Sequence, residues 1–147
     1  MGSEMCIRDR AKKYHLGWSA IAFSAVLNVV QVSIGLKLFG PFGGAAQQID
    51  GAGPLIGAIV AFSFMIYNTA KILLGLAALV FGMGKMAAGS KTLGGLTALV
   101  GVVAVVANSL IVIVGRDAFL PSPVAGASGV VATVLLALCL MSLVHDE

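Results

Sequence analysis

The stretch Thr92–Gly115 reads TLGGLTALVGVVAVVANSLIVIVG and holds no charged side chain. An apolar run of about 20 residues matches the roughly 30 Å hydrocarbon core of a bilayer. In that solvent only a helix or a closed barrel satisfies its own backbone polar groups. A barrel strand alternates apolar and polar residues, and this run does not. Three further stretches share its character: Trp18–Leu36, Gly51–Ala70 and Ala118–Val144. The sequence therefore predicts an all-α, polytopic integral membrane protein. It is expected to be a bundle of four transmembrane helices with short loops, spanning about 17–38, 54–82, 92–115 and 123–144.

Composition points the same way. Of 147 residues, 59% are hydrophobic and only 10% charged, and the mean hydropathy is +1.05. Soluble domains carry about a quarter of their residues as charges. The net charge of +3 comes from scattered bases, whereas a nucleic-acid partner needs Lys and Arg clustered on a polar face. Cys6 and Cys139 are far apart and read as free thiols, without the spacing of a metal site or a disulfide framework. No cofactor and no metal is expected; membrane lipid is the expected surrounding.

The opening Met1–Arg10, MGSEMCIRDR, stands apart from the apolar chain after it. Its MCIRDR string resembles a translated sequencing-adapter remnant, and the alternative is a disordered basic tail. Either way 1–10 is set aside from the fold, leaving 11–147 as one transmembrane domain. Lys12, Lys13, Tyr14, His15 and Trp18 then form a basic, aromatic entrance to the first span. Bases are retained on the cytoplasmic side. Arg8, Arg10, Lys12 and Lys13 precede span one, Lys37 borders loop one, Lys85 and Lys91 mark loop two, and loop three holds Arg116 with Asp117 before Pro121 and Pro123. This predicts both termini and loop two inside, as in a prokaryotic inner membrane. A cleaved leader ending at Ala45–Ala46 is the alternative for span one. Its apolar run is longer than a usual signal core, and the residues after Pro41 read as a plain turn.

Three asparagines stand 40 residues apart, Asn28, Asn68 and Asn108, each followed seven residues later by a glycine: Gly35, Gly75 and Gly115. Seven residues is two helical turns, so each pair shares a face. Small and polar stripes continue along Ser24, Asn28, Gln31 and Gly35. They run on span two through Gly57, Ala61, Asn68, Lys71, Gly75, Ala78 and Gly82, and on span three through Gly94, Thr97, Gly101, Ala104, Asn108 and Gly115. On span four they are Gly126, Gly129, Thr133 and Ala137. Small residues let helices approach in lipid, and amides hydrogen-bond between them. Gly35, Gly57, Gly75, Gly101, Gly115, Gly126 and Gly129 are therefore expected packing positions. Asn28, Gln31, Tyr67, Asn68, Lys71 and Asn108 are expected interior polar groups.

Lys71 is the residue that packing does not require. An ammonium at mid-span costs about 2.5–3.5 kcal/mol on insertion scales. Pro54 to Lys85 is longer than a bilayer core needs, at about 48 Å. Lys71 therefore either snorkels to the inner interface or stands buried beside Tyr67 and Asn68.

Catalysis needs titrating or attacking groups close together. No carboxylate lies in a span, both histidines flank the membrane portion, and the serines have no histidine partner, so an enzyme is not expected. Three readings are open. The first is a structural or accessory subunit that packs through small and polar helix faces into a homo-oligomer or with other membrane-protein subunits. The second is an oligomeric channel or small transporter around Asn68 and Lys71, built on inverted repeats. The third starts from Gln47–Gly115, where a segment ending Ala45–Ala46 and a Gly-Pro start precede an apolar hairpin whose tight loop carries Lys85 and Lys91. In layout this resembles conjugative type IV secretion pilins, which would imply cleavage after Ala46 and assembly into a filament. The fourth span departs from that layout.

Overall fold

Hydrocarbon leaves a Val-rich segment no partner for its backbone but itself, so even Thr97–Val114 winds into a helix. The computed structural model describes residues 2–46, 48–115 and 122–145, with side chains at 14–40, 42–46, 48–115, 124 and 126–142. The described residues form helices and the turns between them, with no strand. They are α1 Gly2–Phe39, α2 Pro41–Ala46, α3 Gly53–Ala87, α4 Lys91–Val114 and α5 Ser122–His145. Tyr14–Phe39, Gly53–Ala87 and Lys91–Val114 are long and apolar enough to cross a membrane, which points to a membrane-embedded protein. In α5 the shorter segment Gly126–Ser142 is apolar.

Two local features differ from the expected layout. The backbone of α1 is already helical at Gly2, so 2–10 is continuous with the first helix. Pro41–Ala46 is a short helix and not a plain turn; a proline at the first helical position has no amide hydrogen to satisfy and a φ already suited to the helix. Gln47, Arg116, Asp117, Pro121, Asp146 and Glu147 lie outside the described residues, as do the side chains of Cys6, Lys12, Lys13 and Pro123.

The hub is α3, against which α1, α4 and α5 all pack, α4 most extensively. The α3–α4 turn is only Ala88–Ser90. Gly89 makes it with φ +106°, a region that L side chains avoid. The amides of Ala88, Gly89 and Ser90 close back onto the carbonyls of Gly84, Met86 and Lys85, so the orphan carbonyls at the end of α3 are satisfied.

The bundle is tight at one end and open at the other. At the tight end a core of Ala20, Ala77, Ala78, Phe81, Leu136 and Cys139 joins α1, α3 and α5. Phe81 is 1% exposed. It stacks on Tyr14 at 5.2 Å and meets Trp18 edge-on at 5.1 Å, while a Cβ on Gly17 would stand 2.6 Å from its ring. At the other end Gly53, Gly57 and Ala61 of α3 are exposed. There an open cavity of about 530 Å³ separates α3, α4 and α5, with Ala61, Tyr67, Asn68, Ile111, Val112 and Gly126 in its lining.

Candidate functional site

The α3–α4 seam is built on glycine. A Cβ at Gly75 would meet the Gly101 carbonyl at 2.8 Å, and one at Gly101 the Gly75 carbonyl at 2.6 Å. One heptad nearer the turn, Gly82 and Gly94 face each other in the same way, each carbonyl 2.7 Å from the other's Cβ position. Backbone therefore packs directly on backbone, the arrangement small residues permit in lipid. One heptad further from the turn, the same register brings Asn68 level with Asn108.

The three asparagines lie partly or wholly within the bundle, but their amides do not bridge helices as expected. Asn28, Asn68 and Asn108 each donate through Nδ2 to the carbonyl four residues earlier, on Ser24, Phe64 and Ala104. Asn28 also approaches Ser24 Oγ at 3.3 Å. Thr69, Thr97 and Thr133 bond back in the same fashion. A short polar side chain reaches its own i−4 carbonyl easily, and in hydrocarbon that local bond competes well with one across an interface. The bonds between helices come from other donors. Ser24 Oγ donates to the Ala70 carbonyl at 2.9 Å, and Gln31 Nε2 approaches Ser63 Oγ at 3.5 Å. Tyr67 is half-buried and lines the open cavity.

Asn108 is 0% exposed, and its Oδ1 is the buried side-chain acceptor without a partner among the described residues. An amide in that state stabilises little, because the orphan oxygen offsets the bond its nitrogen makes. Asn108→Leu is therefore expected to unfold within about 1 kcal/mol of the parent, or later than it. Ser24→Ala, which removes a bond between helices, should cost about 0.6–2 kcal/mol. Denaturant titration in bicelles compares the two; an Asn108→Leu loss well above the Ser24→Ala loss would show that Oδ1 is satisfied.

The packing glycines divide sharply. Gly75, Gly101 and Gly129 are buried against neighbours. Gly35, Gly57 and Gly126 have open space where a Cβ would stand, and Gly115 is the exposed residue, at φ +92°, that ends α4. On α5 the buried stripe is Ser128, Gly129, Ala132, Leu136 and Cys139, while Thr133 and Ala137 are exposed. Sequence reasoning set the phase of that helix wrongly because it took Thr133 as an inward polar residue, whereas its hydroxyl bonds back to the Gly129 carbonyl and leaves it on the exposed face.

Two lysines are drawn into the bundle. Lys85, expected in loop two, belongs to the last turn of α3 and is 4% exposed. Its Nζ donates to the Ser142 carbonyl at 3.2 Å, near the end of α5, where the orphan carbonyls and the negative end of the helix dipole favour a cation. Its place on the same face as Ala78 and Phe81, seven and four residues earlier, is the signal that would have revealed it. Lys71 is half-buried. Its ammonium lies 5.0 Å from the Tyr67 ring centroid, within reach of a cation–π attraction. Its stem runs over Gly129 of α5, where a Cβ would stand 2.8 Å from Lys71 Cδ.

Among the described residues no three His, Cys, Asp or Glu side chains gather. The Lys71 ammonium is backed by the Tyr67 ring, and Tyr67 and Asn68 line an open, mainly apolar cavity. Comparison with protein-family models, curated proteins and solved structures gives no match for this chain.

Proposed function

We propose that the protein is a non-enzymatic, four-span membrane subunit that works as part of a larger membrane assembly. The observation that carries this reading is the contrast between the two ends of the bundle. Carbonyl-to-glycine contacts close the seam at Gly75–Gly101 and Gly82–Gly94, so one copy holds no lumen there for a solute to follow. At the opposite end α3 presents exposed small residues and an open wedge, the features that receive a further helix in lipid. In this reading α5 is the fourth span, and the termini and the α3–α4 turn face the cytoplasm. The first helix stays attached: Gly17 receives Phe81 and Ser24 bonds to Ala70, so removing it would open the core.

Native mass spectrometry of the protein extracted with its surrounding lipid tests the assembly. A mass well above the 14.9 kDa of one chain is expected, and a single chain overturns the reading. In liposomes the parent and Lys71→Gln should share the same background ion leak; a lysine-dependent flux would replace the subunit by an oligomeric channel.

Orientation is checked with single cysteines at two exposed positions, Gln48 and Ala88, in a background with Cys6 and Cys139 changed to Ala. An impermeant maleimide should label Gln48→Cys from outside, and Ala88→Cys only after permeabilisation. The opposite pattern inverts the topology.

A further inference from the structure

We propose that Lys71 is the docking point for a transmembrane helix of a different protein, one that carries an Asp or Glu at mid-bilayer depth. The proposal rests on the subunit reading and names the chemistry of the neighbour. Depth is the first argument. The Gly75–Gly101 contact fixes the antiparallel register of α3 and α4, and four residues further from the turn Lys71 stands level with Val105. That position is within three residues of the middle of Lys91–Val114, or about 4 Å at 1.5 Å per residue. If Lys71 lay at the inner interface, the α4 segment from Leu93 to Val103 would be left in water. An ammonium near the bilayer centre faces a bundle interior, water or an opposite charge.

The second argument is charge. Among the described residues the Lys71 ammonium meets the Tyr67 ring and no carboxylate. The acidic residues of the whole chain are Glu4, Asp9, Asp50, Asp117, Asp146 and Glu147. None of them falls inside Tyr14–Phe39, Gly53–Ala87, Lys91–Val114 or Gly126–Ser142. A second copy therefore brings no carboxylate to this depth, and the complement must be heterologous.

Shape is the third. Gly129 accommodates the lysine stem and fixes where the charge is presented, while Tyr67, whose ring lies 5.0 Å from the ammonium, lines the open cavity. From there Ala61, Gly57 and Gly53 run up an exposed face of α3 at four-residue spacing, with open space at both glycines. Small residues at that spacing admit a close-packed helix, and a carboxylate facing the wedge from it reaches the lysine.

The test uses the full-length protein in liposomes, labelled for energy transfer. The probes are synthetic leucine–alanine transmembrane peptides with Glu, Leu or Lys at the central position. The Glu peptide should associate about tenfold more tightly than the Leu peptide, as expected for a close charge pair. That preference should vanish in Lys71→Leu, survive in Lys71→Arg, weaken in Gly129→Val, and pass to the Lys peptide in Lys71→Glu. Equal affinity for the Glu and Leu peptides overturns the proposal, as does a preference that persists in Lys71→Leu. A preference that emerges only in Asp117→Asn also overturns it, because the lysine is then paired within the chain. The two readings fail separately. If the native assembly keeps its full mass with Lys71→Leu, the ion pair falls and the subunit stands. If the parent is a single chain in its own membrane, the subunit reading falls whatever the peptides do.

Discussion

A single methyl group on Gly82 is expected to destabilise the α3–α4 hairpin by about 1–3 kcal/mol or more. The Cβ of Gly82→Ala would stand 2.6 Å from the Ala98 amide nitrogen and 2.7 Å from the Gly94 carbonyl oxygen. Both are backbone atoms and cannot rotate away as a side chain does, so the helices must separate. Separation also weakens the dispersion contacts along the whole seam, which drive association where lipid tails are as apolar as leucine. Gly75→Ala, Gly94→Ala and Gly101→Ala should behave alike, each meeting backbone within 3.0 Å. Gly35→Ala and Gly57→Ala are the controls. Their Cβ atoms enter open space, so the helix propensity of alanine should leave them equal to the parent or more stable by up to about 1 kcal/mol. Denaturant titration in bicelles, followed by circular dichroism, measures all six. Equal losses at seam and control positions would mean that glycine is required for its backbone freedom and not for close approach.

The sequence showed this seam only in part. The seven-residue spacing of asparagine and glycine was visible, and it does mark the buried face of α3 from Asn68 through Gly75 to Gly82. The 40-residue translation built on it does not describe the packing. Antiparallel helices pair by reflection about their turn, so the partner pattern on α4 runs Gly94, Gly101, Asn108 and places its glycines before the asparagine. Gly115, which the translation singles out, falls at the exposed end of α4, and Gly35 lies on α1, outside this hairpin.

The stripes were legible where a helix has a polar residue to set its phase, as with Ser24, Asn28 and Gln31 on α1 or Thr97 and Asn108 on α4. They were misread on α5, where Thr133, the polar residue taken to set the phase, is exposed and bonds back to the Gly129 carbonyl. The depth of Lys71 was undecidable from α3 alone, because that helix is longer than a bilayer is thick. It becomes readable only through the register with α4, a tertiary fact. Lys85 was assigned to a loop because a lysine beside glycines ordinarily ends a span, and its burial depends on α5 returning to the same end of the bundle.

Phe81 gives the second large effect and shows how α1 is held. Phe81→Ala empties a site that is 1% exposed and lined by Tyr14, Gly17, Trp18 and the α5 core. The expected loss is about 2–4 kcal/mol, towards the lower part of the range for soluble cores because the hydrocarbon outside is as apolar as the interior. Gly17→Ala attacks the same contact from the other side, placing its Cβ 2.6 Å from the ring. Here the obstructing atoms belong to a side chain, which distinguishes this site from the glycine seam. A smaller, more adaptable residue at 81 should therefore relieve it. Gly17→Ala and Phe81→Leu are each expected to destabilise, and the double variant should lose less than the two losses combined, with a coupling of about 0.5–3 kcal/mol. The cycle is read from unfolding midpoints in bicelles, with cysteine crosslinking between α1 and α3 reporting whether the first helix stays docked. Strictly additive losses would mean that ring and glycine do not meet, and that α1 is held mainly by the Ser24–Ala70 bond. A clear coupling would place the contact between α1 and α3 at Phe81, where a cleaved first helix would leave an aromatic ring facing lipid.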